Sequence, residues 1–122
     1  MAAAGARAIG CALTPEITSF RRREWNPLPY EGCVGVDGKV VVHEDDLLVA
    51  MLRFGENATI HEHPGETETI VACIEGEGLT SVAGETAPIR EGELVRWPKG
   101  IPHRLWTEDS RMKTLMIERA TV

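Results

Sequence analysis

The sequence predicts an all-β domain, a sandwich or barrel of short strands, and three observations point there. Apolar residues gather in short runs bounded by Gly, Asp, Asn, Glu and Pro, with no sustained 3.6-residue stripe. These runs recur about every ten residues, the spacing of a strand plus its turn. The chain has 122 residues, enough for one hydrophobic core and not two.

Taken in order, residues 1–24 form an Ala-rich and then Arg-rich arm, expected to be only partly ordered, and residues 25–122 form the domain. KVVVHE (39–44) reads as a strand after the turn VDGK, and DLLVAMLRF (46–54) as a longer one. TIHEH (59–63) follows the turn GEN, and ETIVACIEG (68–76) leads directly into EGLTSVAGE. PIREGELVRWP (88–98) holds two short strands around EGE, followed by HRLWTE (103–108). RMKTLMIERA (111–120) also contains good helix formers, but the compact apolar run TLMI in an otherwise β chain favours a strand.

Charge and cysteine usage narrow the function classes. A net charge of −6 argues against a general nucleic-acid binder, and Arg21, Arg22 and Arg23 read as a solvated basic turn before Trp25. Three cysteines, Cys11, Cys33 and Cys73, with no CxxC pair, do not make a disulfide framework and suit a reducing, cytoplasmic setting. The first fifteen residues are too weakly hydrophobic for a signal peptide and too few to span a bilayer, so no membrane partner is expected.

Of four histidines, His61 and His63 stand out. At i and i+2 on a strand, both rings point to one face, and two imidazole lone pairs aimed at one point invite a divalent metal. Alone, the pair is as readily two exposed side chains. His103 follows a Pro-x-Gly bend that would open a neighbouring strand, and so could supply a third ligand. His43 reads as an exposed histidine beside a turn.

These segments together resemble the cupin superfamily. Gly55, His61, His63, Glu68 and Gly76 match its first motif, G-x5-H-x-H-x3/4-E-x6-G. Gly92, Pro98, Gly100 and His103 match the second, G-x5-P-x-G-x2-H, with Thr107 where an Asn often stands. The resemblance implies a double-stranded β-helix (jelly-roll) barrel holding one divalent transition metal, Fe, Mn, Zn or Ni. It also implies ligands at His61, His63, Glu68 and His103.

One departure bears on the carboxylate. Seven residues separate Glu68 from Gly76, where the motif has six. Either a one-residue bulge keeps Glu68 inward, or Thr69 takes its place and three histidines remain. Glu66, on the Pro-Gly turn, is the other acid in reach.

The function expected is a mononuclear metal-dependent enzyme acting on a small organic acid or carbonyl compound. Dioxygenase chemistry comes first and isomerase or lyase chemistry next. A non-catalytic metal or small-ligand binding module is the alternative. Trp97, Trp106, Arg53 and Met51 are candidate pocket residues, each with packing or solvent exposure as its plain alternative. Sheet edges left open by a short jelly roll suggest a homodimer.

Overall fold

Eight strands carry the chain through residues 13–119, which the computed structural model describes. They are β1 (Asn26–Pro27), β2 (Val34–Glu44), β3 (Leu47–Pro64), β4 (Glu68–Val82), β5 (Glu85–Arg90), β6 (Leu94–Trp97), β7 (Pro102–Trp106) and β8 (Met112–Arg119). The C-terminal run is a strand, and no helix is present among the described residues. Residues 1–12 of the arm, with Cys11, lie outside the described residues, and 13–24 form no strand.

Two pairs of predicted strands are each one continuous strand. The expected turn at GEN does not break β3, nor does the glycine pair Gly76 and Gly78 break β4. Both strands bend and change partners. The first half of β3 pairs with β2 and β8, and its second half with β7. The first half of β4 pairs with β8 and β6, and its second half with β5 and β7. The result is two facing layers, β1–β2–β3–β8–β4–β6 and β3–β7–β4–β5, which share β3 and β4. This is the jelly-roll barrel.

Each bend has a local cause. Beside the bend of β3, Asn57 takes φ 54°. There the Thr107 hydroxyl donates to the Gly55 carbonyl at 2.5 Å and accepts from the Ala58 amide at 3.1 Å. At the bend of β4, the register with β8 slips between Cys73 and Glu75, which leaves Ile74 as an extra residue. Gly76 follows at φ 79°, where an added Cβ would lie 2.0 Å from the Arg111 carbonyl oxygen.

Between the layers lies a core that includes Leu52, Phe54, Ile60, Val71, Leu105 and Met112. Burial of each large side chain contributes about 1.5–3 kcal/mol. Alternation decides which residues face it. On β8, Met112 and Thr114 are buried and Met116 packs on the core. Thr69, Val71 and Cys73 do the same on β4.

Gly76→Ala is expected to cost at least about 2 kcal/mol, because both the positive φ and the Arg111 carbonyl oppose a side chain there. A fall in the urea midpoint without a change in slope would show it; an unchanged midpoint would refute the account.

Candidate metal centre

At one end of the barrel β3 lies against β7, and His63 pairs directly with His103. The register between these strands slips by one residue between Ile60 and His63. This bulge returns His63 to the inward face that Ile60 and Leu105 occupy below it. The His63 and His103 ring centroids are 4.6 Å apart, edge to face. His61 lies on the solvent side of the pair, its ring centroid 5.3 Å from that of His63.

Main-chain carbonyls orient both inner rings. His63 Nδ1 lies 2.9 Å from the His61 carbonyl oxygen, and His103 Nδ1 lies 3.2 Å from that of Ile101. A carbonyl only accepts, so each Nδ1 carries the proton and each Nε2 keeps its lone pair. Metal-ligating histidines use the same arrangement to fix tautomer and aim. The His61 ring is placed by Gly32, where a Cβ would come within 2.7 Å of Nδ1.

Behind His103 stands Trp97, stacked on it at 4.0 Å between centroids and nearly parallel at 8°. The indole Nε1 donates to Thr80 Oγ1 at 3.1 Å, and the Thr80 hydroxyl donates to the Arg104 carbonyl at 2.9 Å. Burial, with a smaller contribution from His63, lowers the His103 pKa from 6.5 to about 4, and the bond to Ile101 opposes the shift in part. The ring is therefore neutral near pH 7, as a metal ligand must be.

The structure does not bring Glu68 to the histidines. The bulge considered in the sequence exists, at Ile74, yet alternation back from Cys73 through Val71 turns Thr69 inward and Glu68 outward. Glu68 Oε1 instead accepts from Arg119 at 3.1 Å and Arg96 at 3.2 Å. Glu66 is exposed on its turn.

Of the pocket candidates, only Trp97 reaches the histidines. Trp106 faces outward under the Arg104 guanidinium, 4.1 Å away. Arg53 is bound to Asp37 at 3.0 Å and lies over Trp25. Met51 shares the outward face of Arg53, opposite Lys39 and Leu115. In each case simple alternation along the strand sets the outward face.

Glu118 was missed. It lies on the inward face of β8, two residues beyond Met116, and its register partner is Thr69. Burial raises its pKa, and His63 pulls it back in part. The signal was available in the sequence: Met112, Thr114, Met116 and Glu118 share one parity.

The site thus offers two oriented rings, His63 and His103, with His61 beside them, while Glu68 is held by arginines on the outer face. Among the described residues, no group of three or more His, Cys, Asp or Glu side chains is arranged so that it could hold a metal ion. Two surface hollows, of about 330 and 460 Å³, include none of the histidines.

Comparison with known proteins agrees with the barrel. The cupin domain family matches residues 48–118, more than half of the chain. The chain belongs to the cupin family. Its fold is similar to that of the polyketide cyclase RemF from Streptomyces resistomycificus, with a TM-score of 0.77 and 16% identity over 88% of this chain and 81% of that one. KdgF from Halomonas sp. is similar with a TM-score of 0.69 and 19% identity, over 87% and 96% of the two chains. A cupin-like protein of Thermotoga maritima gives a TM-score of 0.72 and 18% identity, over 80% and 79%. At these identities the likeness is one of fold. No helix among the described residues is long and apolar enough to cross a membrane.

The His103 shift has a consequence for stability. Its folded pKa of about 4 lies below the ordinary 6.5, so the unfolded chain takes up the proton first. The stability this group contributes is present above pH 6.5 and is lost as pH falls toward 4. Urea unfolding at pH 7, 5.5 and 4.5 is expected to show a decline that His103→Asn lessens; equal slopes in the two proteins would refute it.

Proposed function

We propose that this cupin is a mononuclear metal-dependent enzyme acting on a small organic acid or carbonyl compound. One observation carries the reading: His63 and His103 are paired across β3 and β7 with Nδ1 of each committed to a carbonyl, which leaves both Nε2 lone pairs for an ion. His61 is the third ligand in this reading. An iron(II) ion would supply dioxygen activation on a chelating substrate, whereas zinc, manganese or nickel would supply Lewis-acid polarisation of a carbonyl.

The protein's own groups do the rest. Trp97 fixes the plane of His103 and seals its inner side from water. Thr69 faces inward one residue along the strand from Glu68 and presents a small hydroxyl there. Gly65 lies against the edge of His103, where a Cβ would come within 3.0 Å of Cε1. That close approach keeps the mouth narrow and suits a small substrate. Dioxygenase chemistry is the first reading. Isomerase, lyase or cyclase chemistry is the second, favoured by the structural likeness to a polyketide cyclase.

Elemental analysis of protein purified without added metal tests the site. The expected result is a bound transition metal, with occupancy reduced at least about tenfold in His63→Ala and His103→Ala. Full metal content in both variants would sink the proposal. Oxygen consumption by the iron(II) form then separates the two chemistries.

A homodimer is part of the same proposal. Ile74 and Leu94 lie 46% and 60% exposed on β4 and β6, an apolar surface that a second copy would cover. Light scattering at micromolar concentration is expected to give twice the chain mass, and a monomer would overturn this part.

A further inference from the structure

Three strands of the larger layer carry apolar runs without a break: residues 47–52 on β3, 70–74 on β4 and 115–117 on β8. A strand covered on one face alternates apolar with polar, whereas one covered on both reads as a continuous apolar run. The core takes the inward residues, Leu52, Val71 and Cys73 among them. Their neighbours face out. Register sets Met51, Leu115, Ala72 and Leu94 in one outward row across β3, β8, β4 and β6. Val49, Ile117 and Ile70 make the next. Within the single chain none of these side chains is fully buried, and Leu94 is 60% exposed.

Charge around the rows shows what kind of partner fits. At one end Arg53 binds Asp37 at 3.0 Å and Lys113 lies 3.8 Å from Glu75. At the other, Glu68 lies between Arg96 and Arg119. Opposite signs meet at both ends, so no single-sign field surrounds the apolar rows. Two identical faces can then approach without repulsion, which a twofold dimer requires because each patch meets itself.

The N-terminal arm is rooted on this same outer face. Trp25 lies against the Lys39 ammonium at 4.8 Å and the Arg53 guanidinium at 4.5 Å, and Lys39 Nζ donates to the Arg23 carbonyl at 3.1 Å. Beyond that root, Leu13, Ile17 and Phe20 are 69%, 87% and 43% exposed, so the chain's own body does not cover them. A stable dimer buries roughly 800 Å² on each partner. Four strands about 4.8 Å apart supply part of that area, and the arm extends it.

We propose that the outer face of β3, β8, β4 and β6 is the interface between two copies of this chain, and that the arm of each copy lies across its partner. This rests on the homodimer reading above and gives it a face and a strap. Met51 and Leu115 stand in the middle of the interface, and Leu13, Ile17 and Phe20 close its edge on the other copy.

Sedimentation of the full chain over a range of micromolar concentrations tests this. Leu94→Glu and Leu115→Glu are each expected to weaken the dimer by at least about tenfold, because one substitution enters a twofold interface twice. Leu94 is exposed in the single chain, so its variant is expected to keep the wild-type circular dichroism spectrum even where Leu115→Glu does not. Ile17→Glu combined with Phe20→Glu is expected to weaken the dimer in the same direction. Tyr30→Glu, at a 66% exposed position on the loop before β2, is expected to leave it unchanged. The face is overturned if the dimer survives Leu94→Glu and Leu115→Glu, or if Tyr30→Glu breaks it instead. The strap is overturned if the arm variant dimerises as the wild type does. A monomeric wild type whose melting temperature falls on arm substitution would put each arm on its own chain and overturn both. Any monomeric wild type also fails the homodimer reading itself, which is distinct from a dimer built on another face.

Discussion

Both long strands change parity, and the site depends on where they do so. In β3 the extra residue falls between Ile60 and His63, and in β4 it is Ile74. A strand presents alternate residues to alternate faces, so one inserted residue exchanges inside for outside along everything beyond it. The β3 bulge brings His63 onto the face of Ile60 and pairs it with His103. The β4 bulge puts Thr69 where a carboxylate was expected and turns Glu68 to the arginines outside. Had either slip fallen elsewhere, the same residues would make a different mouth.

Support for the histidines runs inward through a short chain of contacts. Thr80 holds Trp97, Trp97 stacks on His103, and His103 is paired with His63. Every member of that chain except His63 is buried, so the donor face rests on packed side chains rather than on a loop. His61 is the exception. It is exposed, and the backbone at Gly32 is what it leans on. The two inner rings are thus oriented by main-chain carbonyls, and the outer ring stands in solvent.

Much of this was legible in the residues. The spacing of His61, His63, Pro98, Gly100 and His103 pointed to the barrel and to the three rings, because each has a local conformational meaning: alternation, bend or strand start. The glycine at 76 was legible for the same reason, although its steric cause, the Arg111 carbonyl, belongs to another strand. The carboxylate was not legible. Counting from His63 and counting from Gly76 gave different residues, and only the position of the bulge decides between them. Trp106, Arg53 and Met51 take the packing or exposed roles that the sequence reading had set beside the pocket one.

What the sequence determined by itself, then, is the all-β class, which follows from short-range patterns of polarity, turn residues and spacing, and the family, which follows from its two motifs. The tertiary structure alone decided which acid faces inward. Glu68 stands five residues from His63 and Glu118 fifty-five, yet pairing of β8 with β4 sets Glu118 beside Thr69 inside the barrel, while an arginine pair claims Glu68 outside. Distance along the chain carries no information about that choice, because hydrogen-bond register between strands, not sequence separation, fixes which side chains meet.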